Sequence, residues 1–369
     1  YECEGPIVPE VDLKKRESFF PPELNGAPPT DPQQPDKLLR DLRDSLSRFM
    51  AGAWRRPPTT EEVDRYMRLI EAERAAGENL RSAYLAAMTA VLTSQNYYYL
   101  VEGSAAQQRE QVNDWELASR LSYFMWNSMP DDELFEQASR GDLHQSDVLQ
   151  RQLQRLLNDP KSRRFTESFP RQWLQLHRVG QFPPDPELYP DYDKWLERSM
   201  VLESTGFFSE VFARNASIRE FLASDWTVMN ARLAMHYGKE FAPEAGFRRV
   251  PLIDADHRGG VLTQASVLSL TSDGTRHRPV HRGVWVSEAI FGRTPPPPPP
   301  NVEPLEPTPS DKPKATIRDQ IQAHTTHATC AACHQKIDPL GLAFDNYDAI
   351  GRWRTTEKIA GGLGDDPPV

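Results

Sequence analysis

Cys330-Ala-Ala-Cys-His334 opens the stretch on which this chain turns, and Ile337-Asp-Pro-Leu-Gly-Leu-Ala-Phe-Asp-Asn-Tyr-Asp-Ala-Ile-Gly-Arg-Trp-Arg354 follows it. Two thiols three positions apart, with a histidine beside the second, form the attachment pattern of c-type haem. The thiols bond the two vinyl-derived arms of one porphyrin, and the imidazole binds the iron from below. With three cysteines and nine histidines in the chain, the pattern is selective. Two other chemistries compete for the same residues. Zinc accepts mixed Cys/His sets, here Cys330, Cys333 and either His324 or His327, but a second ligand pair at finger-like spacing is missing. A thioredoxin-like dithiol wants a strand before the motif, and His324-Thr-Thr-His-Ala-Thr329 does not read as one. The cofactor expected is one haem c, covalent through Cys330 and Cys333, with iron on His334.

The second iron ligand is the next question. No Met or His follows His334, so such a ligand is expected from upstream, and the haem is expected to lie against the rest of the protein. His281 and His277 are the candidates, in a basic loop with Arg276, Arg278 and Arg282. Met229, Met235 and His236 lie at helical spacing and read as core. Arg282 is expected to meet the haem propionates, and Arg352 with Arg354 to line one, because a guanidinium matches a carboxylate. Asp338-Pro-Leu-Gly341 reads as a turn in which the Pro339 carbonyl accepts the N–H of the proximal imidazole. A vacant sixth position is the other reading, and it would open the iron to peroxide or small ligands.

Bulk properties narrow the partners. Against 43 Lys and Arg stand 53 Asp and Glu, a net charge of −10, which disfavours nucleic acid or an anionic membrane and suits a basic redox partner. No apolar run is long enough to span a bilayer. Covalent haem is installed outside the cytoplasm, so a periplasmic or otherwise exported protein is expected, with a signal upstream of Tyr1. Cys3 is left over as a free thiol or the partner of another segment.

Along the chain, residues 1–35 are proline-rich and read as an extended segment. Residues 36–105 form a helical domain: Leu38, Leu39, Leu42, Leu46, Phe49 and Met50 recur at helical spacing, Thr59 with Glu62 makes a capping box, and another helix runs from about Asn79 to Leu92. Tyr97, Tyr98 and Tyr99 are expected to finish its core. Residues 106–244 form a second helical domain, with Trp115, Leu117, Leu121, Phe124 and Met125 facing mostly inward and no alternating strand before residue 245. Residues 246–262 allow a short hairpin at most. Residues 245–369 are the haem-bearing region, with the unbroken run Pro295 to Pro300 as an internal spacer. The fold class expected is mainly α: multi-helical bundles, then a C-terminal haem-bearing helical region, with little or no β.

Five phrases carry a resemblance: Trp54-Arg-Arg-Pro57, Glu116-Leu-Ala-Ser-Arg-Leu-Ser-Tyr-Phe-Met-Trp-Asn-Ser-Met-Pro-Asp131, Trp226-Thr-Val-Met-Asn-Ala-Arg-Leu-Ala-Met-His-Tyr237, Pro279-Val-His-Arg-Gly-Val-Trp285, and the haem stretch through Arg354. In this order they resemble a family of large exported c-type cytochromes of planctomycete bacteria, whose domains are mostly of undefined function. The resemblance covers nearly the whole chain and matches the C-terminal portion of such proteins. It implies haem c and an exported location, with other cytochrome modules or a redox partner nearby. The function expected is electron transfer by a single haem; the alternative is a peroxidase- or oxidase-like haem enzyme with an open sixth site.

Overall fold

The computed structural model describes residues 20, 24, 35–103, 109–242, 246–296, 315–326, 328–357 and 367–369. Cys3, His327, most of the segment 1–35 and most of the proline run lie outside the described residues. The protein is mainly α, with fourteen α-helices and one two-stranded sheet among the described residues. It divides into two units, Tyr1–Phe165 and Thr166–Val369, a division that falls inside the stretch 106–244 read as one domain from the sequence.

The first unit contains α1 (Pro35–Trp54), α2 (Thr60–Ala75), α3 (Leu80–Leu92), α4 (Gln95–Tyr98), α5 (Asp114–Trp126), α6 (Asp132–Arg140) and α7 (Ser146–Asn158). α2, α3, α5 and α6 start where a side chain satisfies an otherwise unpaired N–H group. Thr59 Oγ1 accepts from Glu62 N while the Glu62 carboxylate accepts from Thr59 N, and Asn113 with Glu116 repeats the arrangement. Leu42, Leu46 and Met50 of α1 pack on Val63, Met67 and Ile70 of α2 and Tyr84, Ala87 and Val91 of α3. Trp126, Leu134, Leu143 and Leu156 centre a second cluster. The phrase Trp54-Arg-Arg-Pro57 is a helix stop. Arg55 takes a left-handed φ of 59°, and its guanidinium donates to the carbonyls of Asn96, Tyr97 and Tyr99. Tyr97, Tyr98 and Tyr99 do not close a core as expected: Tyr98 and Tyr99 are each 68% exposed. Phe124 likewise points outward, against its expected place on the inner stripe of α5.

In the second unit α8 (Arg163–Trp173), which contains the division point, and α9 (Lys194–Ala213) precede β1 (Trp226–Met229), α10 (Ala231–His236), β2 (Arg248–Pro251), α11 (Ala265–Leu270), α12 (Pro279–Ala289), α13 (Ile317–His324) and α14 (Ala328–Leu342). The strands are antiparallel, with Trp226 opposite Pro251 and Met229 opposite Arg248. β1 corrects the expectation of no strand before residue 245. All four of its residues are buried, so it shows no alternation for a period-two pattern to reveal, and its partner is distant in sequence. Leu174, Phe207, Trp226, Val267, Leu270 and Trp285 share one core, so the haem-motif region is built into the helices before it. Beneath β1, Tyr237 and Thr227 donate to the buried Glu203 carboxylate, whose burial pushes its pKa up to about 7.

α12 and α14 cross at two glycines. A methyl on Gly341 would overlap the Pro279 carbonyl, 2.6 Å from its carbon, and stand 3.0 Å from Gly283 N. A methyl on Gly283 would overlap the Ile337 carbonyl and lie 2.8 Å from Ile337 Cγ2. Both obstacles are mostly backbone and cannot rotate away. Gly341→Ala is therefore expected to lower the denaturation midpoint at unchanged m, by at least about 1–3 kcal/mol, the scale of overpacking. Gly52→Ala in α1, with nothing within 4 Å, should be neutral or stabilise by up to about 1 kcal/mol.

Candidate functional site

α14 carries the motif on consecutive turns. Cys330 and Cys333 are free, half-buried thiols one turn apart, and His334 follows directly. The stretch Asp338–Gly341, expected as a turn, is the last turn of this same helix. That changes the partner of the imidazole. Asp338 stands one turn beyond His334, and its two carboxylate oxygens lie 2.9 and 3.0 Å from His334 Nδ1. A carboxylate only accepts, so the proton is assigned to Nδ1 and the lone pair to Nε2. The Pro339 carbonyl, expected in that role, belongs to helical backbone and points along the axis instead. Pro339 does have a local effect: it offers no N–H to the Gln335 carbonyl.

A groove of about 560 Å³ runs beside His334, lined by Arg318, Thr325, Ala331, Gln335, Asp338 and Leu342 among others. This is within the size range of small-molecule and cofactor sites. α13 forms its other side. Thr316 and Asp319 cap that helix reciprocally, and its last residue, His324, sets its ring against His334 with centroids 5.3 Å apart and planes at 67°.

The loop behind α14 ties these helices together. Asp345 is buried and accepts from His277 Nε2 at 2.5 Å and from Arg318 Nε at 3.1 Å. Arg354 donates to His277 Nδ1 at 2.8 Å. Burial opposes ionisation of Asp345, but the His277 hydrogen bond and the Arg318 charge outweigh it and hold the carboxyl below its usual range. Burial lowers the His277 pKa, despite the Asp345 bond that works against this, so the ring is held neutral. Glu357 accepts from Arg276 and from Ile317 N at the start of α13.

These placements reassign several residues proposed from sequence. Both nitrogens of His277 are taken within the protein, which leaves no lone pair for a metal. His281 is exposed and sits half a turn from Pro279 and Gly283, the two α12 residues against α14, so it faces away from that helix. Arg282 is buried and donates to Thr271 Oγ1 and the carbonyls of Phe344 and Leu268; burial pushes its pKa down to about 10. Arg352 bonds Asp191 and is not part of the groove. Arg318 is the cation at the groove, and Asp338 the carboxylate at the imidazole; neither stood out from the sequence. The i, i+4 spacing of His334 and Asp338 was the available signal, hidden by reading Asp338–Gly341 as a turn.

The donor set suits a haem. One imidazole is oriented through Nδ1, two thiols precede it on the same helix, and a groove with a cation adjoins it. Among the described residues no three His, Cys, Asp or Glu side chains cluster to hold a bare metal ion.

Three family models match successive stretches of the chain. Residues 41–102 match PSD5, residues 112–238 match PSD4 and residues 258–357 match PSCyt3, described respectively as the proteins of unknown function DUF1595, DUF1592 and DUF1588. These are planctomycete-type cytochrome-domain families, and the chain is similar to each over the residues given. The third contains α12, α13 and the whole of α14. No curated protein and no solved structure matches the chain. No helix among the described residues is long and apolar enough to cross a membrane.

The Asp345 knot sets a pH dependence. A depressed carboxyl contributes stability above its unfolded value of about 3.8, lost as pH falls through the lower folded value. A depressed imidazole contributes above about 6.5, and that contribution is lost on further acidification. Both act in the same direction, so the denaturation midpoint is expected to fall steadily from pH 7 towards pH 3. Asp345→Asn should remove the part of the loss that falls below about pH 3.8 and cost on the order of 1–3 kcal/mol at pH 7. A parallel slope in the variant would exclude the knot as its source.

Proposed function

We propose that this chain is the haem-bearing part of an exported c-type cytochrome, which transfers electrons to a redox partner or to other cytochrome modules. The observation that carries the reading is the His334–Asp338 pair on a helix that also presents Cys330 and Cys333. A carboxylate on the far nitrogen orients an imidazole ligand and makes it more basic, a recurring arrangement around protein-bound metals. The match of residues 258–357 to a family carrying a cytochrome name supports it. Cys330 and Cys333 would hold the porphyrin arms, His334 Nε2 the iron, and Arg318 a propionate at the groove. The bound group would supply one-electron exchange; the protein sets its potential through ligand identity, burial and hydrogen bonding.

Co-expression with haem c maturation machinery tests this. The wild-type chain should keep haem through a denaturing gel, and the Cys330→Ser, Cys333→Ser double variant should lose it. Asp338→Asn should retain the haem but raise its reduction potential, because a neutral partner makes the imidazole a weaker donor. A wild-type chain that carries no covalent haem after maturation would remove the proposal.

A further inference from the structure

Resting on the haem reading above, we infer that His324 supplies the second ligand to the iron held by His334. The ring of His324 is in contact with that of His334, 5.3 Å between centroids. Two imidazoles on opposite sides of one metal, with bonds of roughly 2 Å, place their centroids roughly 6 Å apart. The observed spacing is therefore within about an ångström of that arrangement. His324 is also the last residue of α13, where the smallest backbone adjustment moves a side chain.

The position of α13 is set independently of the two imidazoles. Arg318 at its first turn is held by Asp345 and the Leu342 carbonyl, and Ile317 N by Glu357. Those bonds come from the end of α14 and the segment after it, so α13 is referenced to the helix that carries His334. A histidine presented this way loses little freedom on ligation, which favours a bound over an open sixth position.

Among the described residues, the other candidates named from the sequence are engaged elsewhere or turned away from His334. His277 uses both nitrogens, and His281 faces away from α14. His236 is buried with Nε2 on the Ile350 carbonyl. Met229 lies in the core with Leu196 and Leu233, and Met235 is exposed. His257 stacks on Trp353 at 3.9 Å. Ligation by His324 makes the centre a two-imidazole haem, coordinatively full, which favours electron transfer over activation of a small ligand.

The test uses the matured chain and the variants His324→Ala, His324→Met, His327→Ala and His281→Ala, each checked for covalent haem by staining and for fold by circular dichroism. Wild type is expected to be low-spin in both oxidation states and indifferent to carbon monoxide. His324→Ala should keep its haem, become high-spin, bind carbon monoxide and recover low-spin bands with added imidazole. His324→Met keeps an axial donor and should show the spectrum of a His/Met pair, which guards against a folding failure in the alanine variant. His327→Ala and His281→Ala should match wild type. A high-spin wild type, a low-spin His324→Ala, or loss of the low-spin bands in either control variant would overturn the assignment and leave the haem reading standing. Absence of haem from wild type would instead overturn both.

Discussion

Two glycines allow the helix that carries the motif to lie where it does. At Gly283 and Gly341 the backbones of α12 and α14 approach until only hydrogen fits between them. Packing at this distance gives the helices little freedom to slide, since the obstacles are carbonyl groups rather than side chains. Everything that acts in the site rides on this crossing. α14 presents His334 and Asp338 along one side, and α12 continues into the core of Trp226, Val267 and Trp285. A haem attached to α14 would thus be attached to the whole second unit.

The buried knot around Asp345 performs the complementary task for α13. A single carboxylate joins His277 at the start of the α12 segment, Arg318 in α13 and its own loop behind α14. Such groups are costly to bury unless fully partnered, and this one is partnered on both oxygens. The residues that looked like metal ligands or propionate clamps in the sequence, His277 and Arg282, are spent here on holding three segments in register. Their chemistry is real, but it is directed inward.

Much of the helical architecture was legible because local signals decide it. Thr59 with Glu62 caps α2 as expected, α3 starts beside Asn79, and the spacing of Leu42, Leu46 and Met50 marks the buried stripe of α1. β1 was not legible, because its pairing with β2 and its uniform burial are properties of the fold rather than of four residues. The outward Phe124 and tyrosines 97–99 failed for a similar reason: apolar character does not say which way a side chain faces.

At the site, the sequence by itself determined the motif and the identity of the three residues that define it. Covalent chemistry and helical periodicity are local, and no neighbour is needed to read them. Only the tertiary structure decided that the helix runs through Pro339, that His277 and Arg282 are consumed by buried partners, and that Arg318 comes to the groove and His324 against His334 instead. Those outcomes depend on which segments pack together, and packing here is governed by two absent side chains and one buried carboxylate whose partners are far away in the chain.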